Sequence, residues 1–133
     1  MLIEEYFVRL EQTLASCSYV LQTTLTKERR APHIGFVKGT IVFSPGIQLS
    51  IMEFVRTEPR LEKTKYRYHC QDASGKLLFW YDDAPHHRTS TFPHHKHVRT
   101  TSKGETIVAS LPPSIEALVD EVVDLMEQEA QGS

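Results

Sequence analysis

From residue 19 to residue 83 the sequence alternates apolar and polar side chains in short segments that are separated by turn sequences. A period of two is typical of β-strands that bury one face. The turn sequences "SPG" at 44–46 and "DASGK" at 72–76 contain Pro, Gly and Asp, which favour tight hairpins. Strands do not alternate with helices in this region, so a largely antiparallel sheet is the predicted centre of the fold.

Amphipathic helices are predicted at both ends of this sheet. Apolar residues at 3, 7, 10 and 14 form one stripe of a helix over 3–15. After "PPS", Ser114 is a good N-cap for a second helix. Its apolar stripe consists of Ile115, Leu118, Val119, Val122, Leu125 and Met126. The prediction is one α+β domain over 1–133: an N-terminal helix, about five strands and a C-terminal helix packed on one face, with a fraying tail at 129–133.

Composition limits the class of protein. A chain of 133 residues with 40% hydrophobic residues can bury a single core. No apolar run approaches the ~20 residues that span a bilayer, and the acidic, amphipathic N-terminus does not resemble a signal peptide. Cys17 and Cys70 are too few for a disulfide framework or a cysteine-based zinc site. A cytoplasmic protein without contact to membranes is therefore expected.

Charge is distributed unevenly along the chain. Residues 1–103 contain all 15 Lys and Arg and 10 of the Asp and Glu, whereas residues 104–133 contain seven acidic residues and no basic one. The two parts carry charges of +5 and −7, which sum to the net −2. A basic body suits an anionic partner, although a solvated acidic helix beside a mixed surface explains the same numbers.

A histidine cluster occupies a predicted long loop at 84–104. Five of the seven histidines fall within twelve residues: His86, His87, His94, His95 and His97. They could bind zinc, although their spacing matches no helical H-E-x-x-H or zinc-finger pattern. They could instead act as general acid and base in RNA cleavage, because the pKa of histidine is near 6.5. A solvated polar loop is the third interpretation.

Two strands carry further candidates. In "YRYHCQD", Arg67 and His69 share a polar face, where arginine can hold a phosphate and histidine can transfer a proton. Asp82 lies where the next strand meets the histidine loop and could orient an imidazole, or it could serve a turn. Glu53 shares the apolar face of the strand "IQLSIMEFV". It is either a general base or ligand with a pKa tuned by partial burial, or a residue at an edge position or in a structural ion pair with an arginine.

The motifs "YRYHCQDASGKLLFWYDDAPHH" and "TFPHHKHV" together resemble the TumE-like family of toxins from bacterial toxin–antitoxin pairs. Family members read close to Y-R-Y-H, a hairpin turn, D-N-A-P-H-H and then F-P-H-H-K-H, which corresponds to residues 66–98 here. The sequence departs from that pattern at Asp83, where Asn is common, and at Cys70, where an aromatic residue is common. The resemblance implies a small cytoplasmic toxin that an antitoxin encoded beside it neutralises.

The resemblance does not supply a molecular target. The residues themselves predict a metal-independent ribonuclease. The predicted catalytic residues are His69, His94, His95, His97, Asp82 and Glu53. The predicted substrate-binding residues are Arg67, Lys96, His86 and His87. Lys96 is assigned to phosphate because a cation among histidines repels a metal ion and attracts an anion.

No cofactor is expected. RNA is the expected substrate, and a cognate antitoxin is the expected partner. Two alternatives stay open: a divalent-metal hydrolase that uses the same histidines, and a non-enzymatic module that binds a protein. The sequence also leaves open whether the chain forms a homodimer.

Overall fold

A computed structural model describes residues 1–44, 46–83, 95–100, 104–109 and 112–132, with the backbone alone described for 95, 97–100, 104–109 and 129–132. The secondary-structure elements follow in chain order: α1 (Ile3–Ala15), β1 (Val20–Ala31), β2 (Ile34–Phe43), β3 (Ile47–Arg56), β4 (Glu62–Gln71), β5 (Leu77–Asp82), β6 (His95–Thr100), β7 (Gly104–Ala109) and α2 (Ile115–Gly132).

The seven described strands form one antiparallel sheet in which each strand pairs with the next along the chain. The predicted α+β class is confirmed, and so are the two terminal helices. The count of about five strands was too low. One of the strands that the count missed is β6, which lies within the predicted histidine loop at 84–104.

Strand β6 was missed because its sequence, His95–Thr100, contains one aliphatic residue, Val98, among polar and charged ones. Its backbone nevertheless pairs with β5 on one side and β7 on the other. Ladder hydrogen bonds satisfy the strand's backbone polar groups whatever side chains it carries. The part of the predicted loop at 84–94 lies outside the described residues.

Strand β1 also extends further than its pattern suggested. The charged sequence "TKERRAP" at 26–32, which ends in proline, predicts a connection, yet the strand continues to Ala31 at the edge of the sheet. Lys27 forms an ion pair of 2.5 Å with Glu11, and Arg29 one of 2.8 Å with Glu4, both in α1. Charged side chains on an edge strand also discourage pairing with other chains.

Both helices pack on the same face of the sheet, which we call the helix face. Buried residues of β2 to β5 alternate along each strand and meet the apolar stripes of α1 and α2 in one core. Gly35 allows α1 to approach closely, because a Cβ at that position would lie 2.5 Å from Cγ1 of Ile3. No helix among the described residues is long and apolar enough to cross a membrane.

Helix α2 begins as predicted, since the Oγ of Ser114 accepts a hydrogen bond of 3.1 Å from the amide of Ala117. Its stripe is buried except for Leu125, which is half-buried. The predicted fraying tail at 129–133 is helical as far as Gly132. Glu, Ala and Gln are good helix formers, and they outweigh the single glycine near the end.

Candidate functional site on the far face of the sheet

We call the sheet face opposite the helices the far face. On it, Arg67 in β4 lies directly opposite Asp82 in β5, and His69 lies directly opposite Trp80. Directly opposed residues of an antiparallel pair share a face, with Cβ atoms about 5 Å apart. The rings of His69 and Trp80 meet edge to face with centroids 6.4 Å apart. The four side chains therefore form one compact group.

Strand β6 extends both rows of this group. His95 lies opposite Asp82, and His97 lies opposite Trp80. Because partners in a ladder share a face, the register assigns positions 95 and 97 to the far face. Position 97 lies two strands from His69, about 10 Å along the row. His86, His87 and His94 lie outside the described residues, so their predicted roles stay predictions.

A groove of about 540 Å³ adjoins this group on its β2 and β3 side. Lys38 and Arg67 are exposed at the groove, and His69 is half-buried at one end of it. The described residues that line the groove include no carboxylate: Phe36, Lys38, Gly39, Thr40, Ser50, Ile51, Met52, Phe54, Arg67 and His69. The groove is thus partly apolar and positively charged.

An aromatic pair closes the other end of the groove. Phe36 in β2 lies opposite Phe54 in β3, and their ring centroids are 4.7 Å apart. The guanidinium carbon of Arg30 lies 5.8 Å from the Phe36 centroid and 5.5 Å from the Phe54 centroid. Both rings are half-buried, and Arg30 is exposed. Sequence reasoning missed these three residues.

A signal for the pair was present in the sequence. With a hairpin turn predicted at 44–46, residues whose numbers sum to 90 should lie opposite one another, as Phe36 and Phe54 do. Phe54 also alternates with Glu53, so it had to lie on the polar face of β3. Large apolar side chains on the solvated face of a strand indicate binding more often than small polar ones do.

Lys96 lies on the helix face, away from His69 and Arg67. It is opposite Tyr81 in the ladder, and its Nζ donates a hydrogen bond to Glu121 of α2. The Nζ also lies 5.1 Å from the centroid of the Tyr81 ring. The phosphate contact predicted for Lys96 is not compatible with this placement, because alternation along β6 separates residue 96 from positions 95 and 97.

Glu53 likewise belongs to the helix face, where it is fully buried. The Tyr6 hydroxyl donates a 2.5 Å hydrogen bond to one carboxylate oxygen, and Tyr68 donates to the other. Lys63 Nζ lies 3.0 Å from Oε2 and also donates to the carbonyl of Pro113, at 2.5 Å. Of the two interpretations of Glu53, the structure shows the ion pair, with lysine as the partner in place of the expected arginine.

This buried cluster changes the titration of its tyrosines. Burial, followed by the negative charge of Glu53, raises the pKa of Tyr6 and of Tyr68 well above the usual tyrosine value. Burial also raises the pKa of the Cys70 thiol to about 12. These groups stay protonated near neutral pH, which suits a structural role.

The described residues contain no group of three or more His, Cys, Asp or Glu side chains arranged to hold a metal ion. Three of the five clustered histidines lie outside that part of the chain, and positions 95 and 97 are described by their backbone. The metal-dependent alternative therefore stays a prediction. Cys17 and Cys70 are both free thiols, and Cys70 is buried.

The sequence matches the model of a known protein family. The model of the family described as Toxin TumE matches residues 9–130, which includes both rows of the far face, most of α2 and about half of α1. No curated protein and no solved structure matches the sequence.

Proposed function

The chain belongs to the TumE family of toxins, and we propose that it acts as a ribonuclease that binds RNA on the far face of its sheet. The observation that carries this proposal is the ladder register around Trp80. It aligns His69, Trp80 and position 97 in one row and Arg67, Asp82 and position 95 in the next. His69, Arg67 and Asp82 thus share one face with the backbone positions of residues 95 and 97.

The proposed reaction is an internal transesterification. A neutral histidine takes the proton of a ribose 2′-hydroxyl, and the 2′-oxygen attacks the adjacent phosphorus. The bond from phosphorus to the 5′-oxygen breaks, and a protonated histidine gives its proton to that oxygen. The products are a 2′,3′-cyclic phosphate and a 5′-hydroxyl. We assign the two histidine roles to His69 and one of His94, His95 and His97.

The other polar residues support this chemistry. Arg67 is exposed beside His69 and can donate hydrogen bonds to the phosphate oxygens as negative charge develops on them. Asp82 is buried opposite Arg67 and next to position 95, where a carboxylate can orient an imidazole. His86 and His87 stay candidates for substrate contact, whereas Lys96 and Glu53 face the helices and take no part.

Charge favours the far face over the helix face as the site for RNA. The exposed residues of α2 include Glu116, Asp120, Asp124 and Glu127, and the sequence has no Lys or Arg after residue 103. A phosphate backbone is repelled by such a surface and attracted by Lys38 and Arg67 at the groove. A ribonuclease toxin of this kind acts in the cytoplasm and requires a cognate antitoxin that blocks it.

The direct test is cleavage of labelled RNA by the purified chain and by a His69→Ala variant. We expect the variant to lose about 100-fold or more of the rate. His33→Ala is the matched control, because His33 lies away from the far face with Nδ1 2.7 Å from the carbonyl oxygen of Met1. It should cleave at the parent rate once circular dichroism has shown that both variants are folded.

Two further results separate the alternatives. Cleavage that persists in excess EDTA supports the metal-independent reaction, and cleavage that stops there favours a divalent-metal enzyme. If total RNA stays intact in cells that the expressed chain has arrested, the ribonuclease proposal is wrong while the toxin assignment stands. RNA ends that lack a 2′,3′-cyclic phosphate would contradict the proposed reaction.

A further inference from the structure

We infer that the cluster of Phe36, Phe54 and Arg30 holds an unpaired base, so that the RNA bound on the far face is single-stranded. This inference rests on the proposed function for the identity of the nucleic acid. It adds a binding subsite that lies beyond the histidines. It also names the form of RNA that the subsite selects.

The geometry of the cluster suits a flat ligand. The phenyl centroids of Phe36 and Phe54 are 4.7 Å apart with the ring planes tilted by 47°, and the guanidinium carbon of Arg30 lies 5.8 and 5.5 Å from the two centroids. Proteins hold splayed-out bases on surfaces of these two kinds, by stacking on aromatic rings or on arginine. Stacking tolerates any base, so this subsite would not by itself select a sequence.

The position of the cluster links it to the reaction site. Phe54 lies four residues along β3 from Ser50, which is directly opposite His69. At about 3.3 Å per residue the two ends of the groove are about 13 Å apart, so one base cannot contact both. A single strand of RNA can place one nucleotide on the phenyl rings and another at His69.

The groove between the two ends can bind the RNA backbone that connects the two nucleotides. Lys38 lies opposite Met52, and Met52 lies opposite Arg67, so one row crosses the groove from cation to cation over an apolar centre. Both cations are exposed. Phosphates can follow the cations while the ribose and base pack on the apolar floor.

A duplex would not use this surface. In an A-form helix the faces of the bases are stacked on one another, and proteins recognise it through its sugars and phosphates. The phenyl rings would then contribute nothing to binding. Preference for single-stranded over double-stranded RNA, and dependence of that preference on the two rings, are therefore the measurable consequences.

The test is fluorescence anisotropy with a labelled 2′-O-methyl oligonucleotide, used alone and annealed to its complement. The methyl group blocks attack by the 2′-oxygen, so binding is measured without cleavage. We expect the parent chain to bind the single strand more tightly than the duplex. Replacing both rings (Phe36→Ala and Phe54→Ala) should weaken binding of the single strand about tenfold or more and leave binding of the duplex unchanged.

Two variants serve as controls for folding and for ring chemistry. Leu61→Ala removes an exposed apolar side chain (45% exposed) from another part of the surface and should bind as the parent does. Phe54→Trp keeps a stacking surface and should retain single-strand binding. Equal affinity for single strand and duplex, or unchanged affinity in the double alanine variant, would overturn the inference. Failure to bind any nucleic acid would also overturn the inference, and the far face would then be a candidate surface for binding the antitoxin.

The outcomes are separable from those of the cleavage test. Single-strand binding that depends on the phenyl rings, in a chain that does not cleave RNA, would support the subsite and refute the ribonuclease. Cleavage that requires His69 but is indifferent to the rings would support the ribonuclease and refute the subsite.

Discussion

Lys96 donates a hydrogen bond to Glu121 on the side of the sheet opposite to His69. The lysine stands between His95 and His97 in the sequence, yet the strand turns it towards α2, where Glu121 also accepts a 2.7 Å hydrogen bond from Tyr81. The motif "HKH" is therefore divided between two surfaces, with the histidine positions on the far face and the lysine in the contact between sheet and helix.

Replacement of Lys96 by Met should affect stability rather than RNA binding. It removes the cation from a pair whose side chains are 21% and 24% exposed, so we expect a loss of about 1 kcal/mol in the free energy of unfolding. The dependence of RNA affinity on salt should stay that of the parent. Arg67→Met is the comparison. It should reduce the slope of the logarithm of the RNA association constant against log[salt] by the amount that one phosphate contact contributes, about one.

Denaturant unfolding and anisotropy titrations at several salt concentrations measure both effects. A Lys96→Met variant with full stability and a reduced salt slope would show that the lysine contacts phosphate after all. It would also show that its contact with Glu121 is not formed in solution.

The antiparallel core could be read from the sequence because its hairpins carry their own turn signals. Gly46 and Gly75 take positive φ angles of 139° and 89° in the two predicted turns. The side chain of Asp72 accepts a 3.0 Å hydrogen bond from the amide of Lys76 and so stabilises the second turn. Local chemistry fixes the register there, and the register then fixes which side chains share a face.

The face of Lys96 could not be predicted, because β6 has no apolar alternation to reveal it. One buried stripe is what distinguishes a strand from a polar loop in sequence, and "HKHVRT" lacks it. When residues 95–100 are treated as a loop, His95, Lys96 and His97 are expected to act together. Pairing with Tyr81 shows that they do not, since neighbouring residues of a strand point to opposite faces.

The environment of Glu53 was half predictable. Alternation along β3 placed the carboxylate correctly on the apolar face. Its partners come from two other elements: Tyr6 from α1, and Tyr68 and Lys63 from opposite halves of β4. A register shift between Phe54 and Val55 brings Lys63 onto the helix face, and no local sequence signal announces it.

The two thiols should differ strongly in reactivity. Burial raises the pKa of Cys70 to about 12, so about one molecule in ten thousand carries the thiolate at pH 8. Iodoacetamide at pH 8 should therefore modify the half-buried Cys17 in the native protein and modify both residues in denaturant. Intact-mass spectrometry should show one added group and then two. Cys17→Ser should show none in the native state, and rapid native modification of Cys70 would contradict its burial.

Stability should fall steeply above pH 10. Tyr6 and Tyr68 have raised pKa values in the fold, so the folded state keeps protons that the unfolded state loses above its tyrosine pKa of about 10. Their stabilising contribution is complete below pH 10 and decreases as pH rises, by up to about 1.4 kcal/mol per pH unit for each tyrosine. Urea unfolding from pH 8 to pH 11 measures the slope.

Tyr68→Phe should reduce the pH dependence of the unfolding free energy by the equivalent of about one proton, because phenylalanine cannot ionise in either state. Tyr19→Phe is the control, since it removes a hydroxyl from a ring that is 39% exposed at the surface. A flat profile for the parent up to pH 11 would mean that the buried tyrosines are already accessible to solvent in the folded protein.

Glu53 can be tested as a structural or a catalytic residue with one pair of variants. Glu53→Gln leaves Lys63, whose side chain is 9% exposed, without a counter-charge and should cost about 3 kcal/mol or more of unfolding free energy. Adding Lys63→Met removes the unpaired charge, so the double variant should recover much of that loss. We expect RNA cleavage to recover with stability. A double variant that regains its stability but stays inactive would show that Glu53 takes part in the reaction.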